Sequence, residues 1–183
     1  MHDGELPAER RLTSRRIFTG KVVSLEVDQV SLHSGDTTER EVVRHRGAVV
    51  LLPLLEDGSV VFVRQYRYAI GRTLLELPAG KLEPGEDPAE CARRELAEET
   101  GWAAGELHRL GSLYTTPGFS DELLHAFVAT DLQPAGPTTP DPDELLQVVP
   151  LSPAEIHRHT ATGDLCDGKS LTVLYQASVA GWL

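Results

Sequence analysis

At 183 residues, 40 % hydrophobic and 25 % charged, the chain has the size and composition of one ordinary folded domain with enough apolar mass for a real core. A formal net charge of −11 argues against a general nucleic-acid binder, which would carry a basic stripe, so no nucleic-acid partner is expected. No run approaches the roughly eighteen apolar residues of a membrane span, and the start MHDGELPAERRLTSRR lacks an apolar signal core, so the expectation is a cytoplasmic protein with no membrane partner.

In chain order, residues 1 to 13 read as flexible, and the alternating segments Lys21 to Val30 and Glu41 to Leu54 read as strands, with Gly35-Asp36 marking a hairpin. Residues 59 to 66 form a buried strand and Leu74 to Leu77 a shorter one, followed by a loop of tight turns at Leu77-Pro78-Ala79-Gly80 and Pro84-Gly85. A helix then opens at the N-cap Asp87 with Pro88 in the first position and Glu90 placed as a capping-box partner, and it stops at Gly101. Segments 106 to 114, 123 to 130 and 145 to 150 look extended, separated by a Pro-rich acidic loop from Asp131 to Glu144. Ser152-Pro153-Ala154-Glu155 is a second capping box opening a helix to about Thr160. A terminal helix over 168 to 182 is expected to pack Leu171, Leu174, Tyr175 and Val179 on one face. The cysteines, Cys91 and Cys166, have no CxxC or Cys/His spacing, so neither a metal site nor a disulfide framework follows. His157 and His159 read as surface helix residues without carboxylate partners.

The end of the first helix carries the chemistry. A helix turns about 100° per residue, so Glu95 and Glu99 project nearly in line with Glu98 beside them. Two carboxylates roughly 5 Å apart at an effective dielectric of about 20 repel by about 3 kcal/mol. The negative end of the helix dipole worsens the arrangement, and a divalent cation reverses it. Oxygen ligands with no nearby Cys or His pair point to Mg²⁺, with Mn²⁺ as a substitute. The plain alternative is a solvated helix whose Glu residues pair with Arg93 and Arg94.

The spacing settles which reading to follow. Gly80, five residues, Glu86, seven residues, Arg94-Glu95-Leu96, one residue, Glu98-Glu99, one residue, then Gly101-Trp102 resembles the whole Nudix box without a departure. That resemblance implies an α/β/α sandwich around a mixed sheet, and hydrolysis of a nucleoside diphosphate linked to another group. It implies metal held by the Ala79 carbonyl, Glu95, Glu98 and Glu99, carboxylates steered by Arg94, and a loop and helix stabilised by Glu86. Such chemistry needs cations because a pyrophosphate concentrates negative charge that a water nucleophile must approach.

Beyond the box, Pro117 lies sixteen residues after Gly101, in the context Pro117-Gly118-Phe119-Ser120-Asp121-Glu122. This resembles the ADP-ribose pyrophosphatase subfamily, as do the segments Ser14 to Gly20, Arg40 to His45 and Gln65-Tyr66-Arg67; a plain Pro-Gly turn is the alternative for the first. The likeness spans about residues 14 to 182. It implies residues 14–45 as an N-terminal antiparallel sheet exchanged in a homodimer and 46–183 as the hydrolase domain, with substrate contacts from Arg40, Arg44, Arg67, Pro117, Gly118, Ser120 and Glu122. A guanidinium fork suits a diphosphate; the lesser alternative for Arg67 is that it ends an edge strand and faces water. Relatives carry an adenine-stacking aromatic near Val22 and Arg40, and neither is aromatic here. Glu144 matches the mobile-loop glutamate that serves as general base, with Asp143 and Asp141 as competitors. The expected reaction is Mg²⁺-dependent cleavage of ADP-ribose to AMP and ribose 5-phosphate. The alternatives are another nucleotide sugar such as GDP-mannose, or a Nudix domain that senses ADP-ribose without cleaving it.

Overall fold

The computed structural model describes residues 8–139 and 145–183. The chain divides into two compact units, one of residues 1–46 with 116–122 and one of residues 47–115 with 123–183. The first is a three-stranded antiparallel sheet in the order β1-β2-β3, with β1 at Arg10–Thr19, β2 at Val23–Ser31 and β3 at Thr37–His45. β1 therefore begins inside the stretch expected to be flexible. Gly35 turns the β2–β3 hairpin at φ 90°. The segment 116–122 joins this unit through Val43 N–H to the Phe119 carbonyl (2.8 Å) and Asp121 N–H to the Val43 carbonyl (3.2 Å).

The second unit is built on a mixed sheet ordered β7-β4-β9-β8, with β4 at Ala48–Pro53, β7 at Ala79–Lys81, β8 at Trp102–Tyr114 and β9 at Leu123–Pro134. β4 and β9 run parallel and the remaining pairs antiparallel. A second sheet, β10-β5-β6, places β5 (Val60–Arg67) between β10 (Leu146–Leu151) and β6 (Arg72–Glu76). β4 is buried throughout, and alternation sends its residues to two cores. Val49 and Leu51 pack with Cys91, Ala92 and Leu96 of α1 (Pro88–Thr100). Val50 and Leu52 pack with Val173, Leu174 and Ala177 of α3 (Gly168–Val179). Helices thus cover both faces, the α/β/α sandwich the resemblance implied. A shorter α2 (Pro153–Thr162) opens with the expected reciprocal Ser152–Glu155 capping box.

Several sequence expectations change. The run Glu41 to Leu54 is two strands, broken where Gly47 takes φ 88° against the Leu123 carbonyl. β8 and β9 extend each other by pairing Trp102 with Pro134, so the acidic loop starts later than Asp131. On α3 the buried stripe is Ser170, Val173, Leu174 and Ala177, and the helix ends before Gly181 at φ 81°. Tyr175 and Val179, expected in the core, are each 72 % exposed. The apolar period tolerates a one-position rotation, and the small Ser170 and Ala177 fit the close approach to the sheet. His159 does find a carboxylate, Asp164, at 3.4 Å. Both cysteines are free. Among the described residues no helix is long and apolar enough to cross a membrane.

Candidate active site

α1 delivers its carboxylates because its ends are fixed locally. The Asp87 side chain accepts from Ala89 N–H (2.8 Å) and Glu90 N–H (3.4 Å), and Gly101 closes the helix at φ 73° with its N–H on the Ala97 carbonyl. The turn before it is tied to the helix by Glu86. Its carboxylate accepts from Glu83 N–H (2.8 Å) and from Arg94 Nε (3.0 Å) and Nη2 (3.1 Å). The Arg94 guanidinium holds the Glu86 carboxyl down at about 2.

Arg94 continues into the cluster. Its Nη1 donates to Glu95 Oε1 at 2.8 Å and to Glu98 Oε2 at 3.0 Å, so one guanidinium nitrogen is shared by two carboxylates. Glu99, 3 % exposed, accepts from Ala79 N–H through Oε2 at 3.1 Å, which brings the third carboxylate to strand β7. Gly80 is required beside it: a Cβ there would fall 1.7 Å from the Glu95 carboxyl carbon. Ala79, Glu95, Glu98 and Glu99 are thus brought to one place. Among the described residues no three acidic, His or Cys side chains stand ready-spaced around a single point, and Arg94 is the cation that Glu95 and Glu98 share. The donor set, three carboxylates beside a backbone turn, is all oxygen and fits a hard divalent cation.

Arg67 ends β5, but β5 is central in its sheet rather than an edge, and the half-exposed side chain is held by a carboxylate. Its Nε and Nη2 meet Glu76 Oε1 and Oε2 at 2.9 and 2.6 Å, a bidentate pair that leaves the other edge of the fork for a further anion. Glu99 also acts on Arg67 electrostatically. Glu76 is 1 % exposed and also receives Lys169 Nζ, which bonds Asp167 Oδ2 at 2.9 Å. Burial pushes the Glu76 carboxyl up, yet Arg67 and Lys169 outweigh it and hold it below its ordinary value. Sequence reasoning missed Glu76 and Lys169. A lone carboxylate within the apolar run Leu74 to Leu77 was a signal for the first; the second had none.

In the other unit, Arg44 donates to Glu26 (2.8 Å), Asp28 (3.0 Å) and Asp121 (3.2 Å), and Arg16 holds the other oxygen of Glu26 (2.8 Å). His45 pairs with Glu122 at 3.4 Å, and Ser120 Oγ accepts from Glu122 N–H. Pro117 and Gly118 lie in the turn that pairs with β3. Arg40 is exposed and bonds Glu9 at 2.6 Å. Glu144, Asp143 and Asp141 lie outside the described residues. The chain leading toward them is attached to the end of α1, by Ala135 N–H to the Gly101 carbonyl and Thr139 N–H to the Glu98 carbonyl (2.8 and 2.9 Å).

Fold and box together define a hydrolase of the Nudix class. The NUDIX domain family matches residues 43–169, more than half of the chain, and the chain belongs to that family. It is 38 % identical to the ADP-ribose pyrophosphatase of Bacillus subtilis (strain 168) over 88 % of each chain. It is 39 % identical to the methanol dehydrogenase activator of Bacillus methanolicus, over 92 % of this chain and 91 % of that one. The GDP-mannose pyrophosphatase of Enterobacter sp. (strain 638) is 37 % identical over 77 % of this chain and 82 % of its own. A crystal structure of an ADP compounds hydrolase superposes with a TM-score of 0.84 over 99 % of this chain and 100 % of that one, at 22 % identity, which speaks to the fold.

Proposed function

We propose that the protein hydrolyses the diphosphate of ADP-ribose to AMP and ribose 5-phosphate with Mg²⁺, in the cytoplasm. The observation that carries this is the convergence of Glu95, Glu98 and Glu99 on Arg94 and the Ala79 turn, in a chain similar over most of its length to an ADP-ribose pyrophosphatase. Ala79, Glu95, Glu98 and Glu99 would hold the cation. When bound it neutralises phosphate oxygens and lowers the pKa of a water. Arg94 keeps the carboxylates together and Glu86 keeps Arg94 in place. Arg67, its inner edge fixed by Glu76, presents its other edge to a phosphate oxygen. Glu144, with Asp143 and Asp141 as competitors, takes the proton of the attacking water. Arg40, Arg44, Pro117, Gly118, Ser120 and Glu122 are proposed substrate contacts of the first unit.

We further read the protein as a homodimer. β1 is exposed along all ten residues, including Leu12, Ile17 and Phe18, so neither of its faces is covered by the described residues of one chain. A second substrate reading, GDP-mannose, is favoured by Val22 and Arg40 standing where a stacking aromatic would select adenine, and by the GDP-mannose pyrophosphatase relative.

The test is phosphate release in a phosphatase-coupled assay with Mg²⁺, offering ADP-ribose, GDP-mannose and other nucleotide sugars at one concentration. The expected result is the highest kcat/KM for ADP-ribose. A preference for GDP-mannose would keep the metal chemistry and overturn the base assignment, and binding of ADP-ribose without turnover would make the protein a sensor.

A further inference from the structure

A cavity of about 340 Å³ in the second unit has none of the proposed metal or substrate residues in its lining and is large enough for a small metabolite. Arg64, Arg72, Thr73, Leu75, His159 and Asp164 line it. Phe62 belongs to the core beneath α3, and Arg64, two residues on, shares that side of β5, while Arg67 is on the opposite side with Glu76. Arg64 thus reaches the cavity from the side opposite Arg67, while Arg72, the first residue of β6 and the register partner of Arg67, lines it as well.

Its walls hold more donors than acceptors. Arg16, Arg40, Arg44, Arg67 and Arg94 all meet carboxylates. Arg72 instead meets Cys166 Sγ, a weak acceptor. Arg64 lies near enough to Asp164 to act on it electrostatically, with no side-chain hydrogen bond of its own among the described residues. Asp164 is the one carboxylate of the lining, and its Oδ2 already accepts from Thr162 Oγ1 (2.9 Å) and pairs with His159 Nδ1 (3.4 Å). Near the end of α2, whose carbonyls would repel an anion, three are occupied: Thr162 Oγ1 bonds that of Arg158, Gly163 N–H that of Thr160 and Leu165 N–H that of His159. Two arginines and Thr73 therefore line a space with one carboxylate to neutralise them, in a chain whose net charge is −11. Leu75, 2 % exposed, supplies an apolar floor.

We infer that this cavity binds a phosphorylated small molecule, its phosphomonoester shared by Arg64 and Arg72 and its carbon skeleton resting on Leu75. Two arginine forks suit a phosphate dianion better than a carboxylate. The cavity also exceeds what a bare phosphate fills, which favours a sugar- or polyol-sized ester.

Isothermal titration of the full chain at low ionic strength in EDTA tests this with glucose 6-phosphate, inorganic phosphate and glucose as probes. Glucose 6-phosphate is expected to bind and to weaken as salt is added. The Arg64→Gln/Arg72→Gln variant, checked for an unchanged thermal melt, is expected to lose affinity by about tenfold or more. Arg109→Gln, on β8 and outside the lining, is expected to retain it. Equal binding by the double variant, or an equal loss with Arg109→Gln alone, would overturn the site. Inorganic phosphate binding as tightly as the sugar ester, or glucose binding equally well, would overturn the ligand class. If the double variant melts early, Arg72→Lys provides the same comparison with charge kept and the fork removed, and undiminished affinity there would count against a shared bidentate contact.

Discussion

The two units of this protein are held together by different physics. In the second, β4, β5, β9, α1 and α3 bury contiguous apolar side chains, from Val49 to Ala177, in two clusters. In the first, Val30 is the buried hydrophobic residue, and the other buried side chains named there are Glu26 and Asp28. These are ordered by Arg16 and Arg44, and Asp28 Oδ1 has no partner among the described residues. Burying apolar area stabilises at about 25 cal/mol per Å², whereas ion pairs give back in Coulomb energy little more than their desolvation costs. The body is therefore complete in itself. The N-terminal sheet is specified in register by its charges yet has little to stabilise it alone, which fits a sheet that needs a second chain.

The comparison can be broken or sharpened in order of effect. Glu99→Gln keeps the side chain's shape and an oxygen for the Ala79 N–H, so both units should fold while kcat falls by at least about 100-fold and divalent-cation affinity drops; full activity would remove Glu99 from the metal set. Leu96→Ala empties a fully buried position under α1 and should destabilise the body by about 3 kcal/mol, read as a lower denaturant midpoint with an unchanged slope. Phe18→Ser on β1 should leave the body's stability within about 0.5 kcal/mol and, in the proposed homodimer, shift sedimentation toward monomer. A substantial loss of body stability in that variant would end the contrast between the units.

The smallest effect is a pH dependence. The Glu86 carboxyl is held at about 2 against an ordinary 4.5, chiefly by Arg94. Its contribution is thus fully present above about 4.5 and is lost as pH falls toward about 2. The melting-temperature difference between the protein and Glu86→Gln should be largest near neutral pH and shrink across that window. A difference that stayed constant from pH 7 to 2.5 would show that the Glu86–Arg94 contact does not depend on the carboxylate charge.

What the sequence by itself determined is what local interactions decide. The limits of α1, its Asp87 cap and Gly101 stop, the Ser152–Glu155 box and the shared face of Glu95, Glu98 and Glu99 depend on residues within a few positions of one another, and all were legible. Gly80 was legible as a motif position, but its reason, the Glu95 carboxylate lying where a Cβ would be, is a contact across fifteen residues. Tertiary structure alone decided the rest. β7 is a strand because β4 offers it an edge. α3 turns Tyr175 and Val179 outward because Val173 and Ala177 pack better on the sheet. Lys169 reaches the carboxylate that Arg67 holds, and His159 and Asp164 line one cavity with Arg64, because elements far apart in sequence were brought side by side. A chain's periodicity tells which residues share a face, but which face meets which partner is decided by the packing of whole elements.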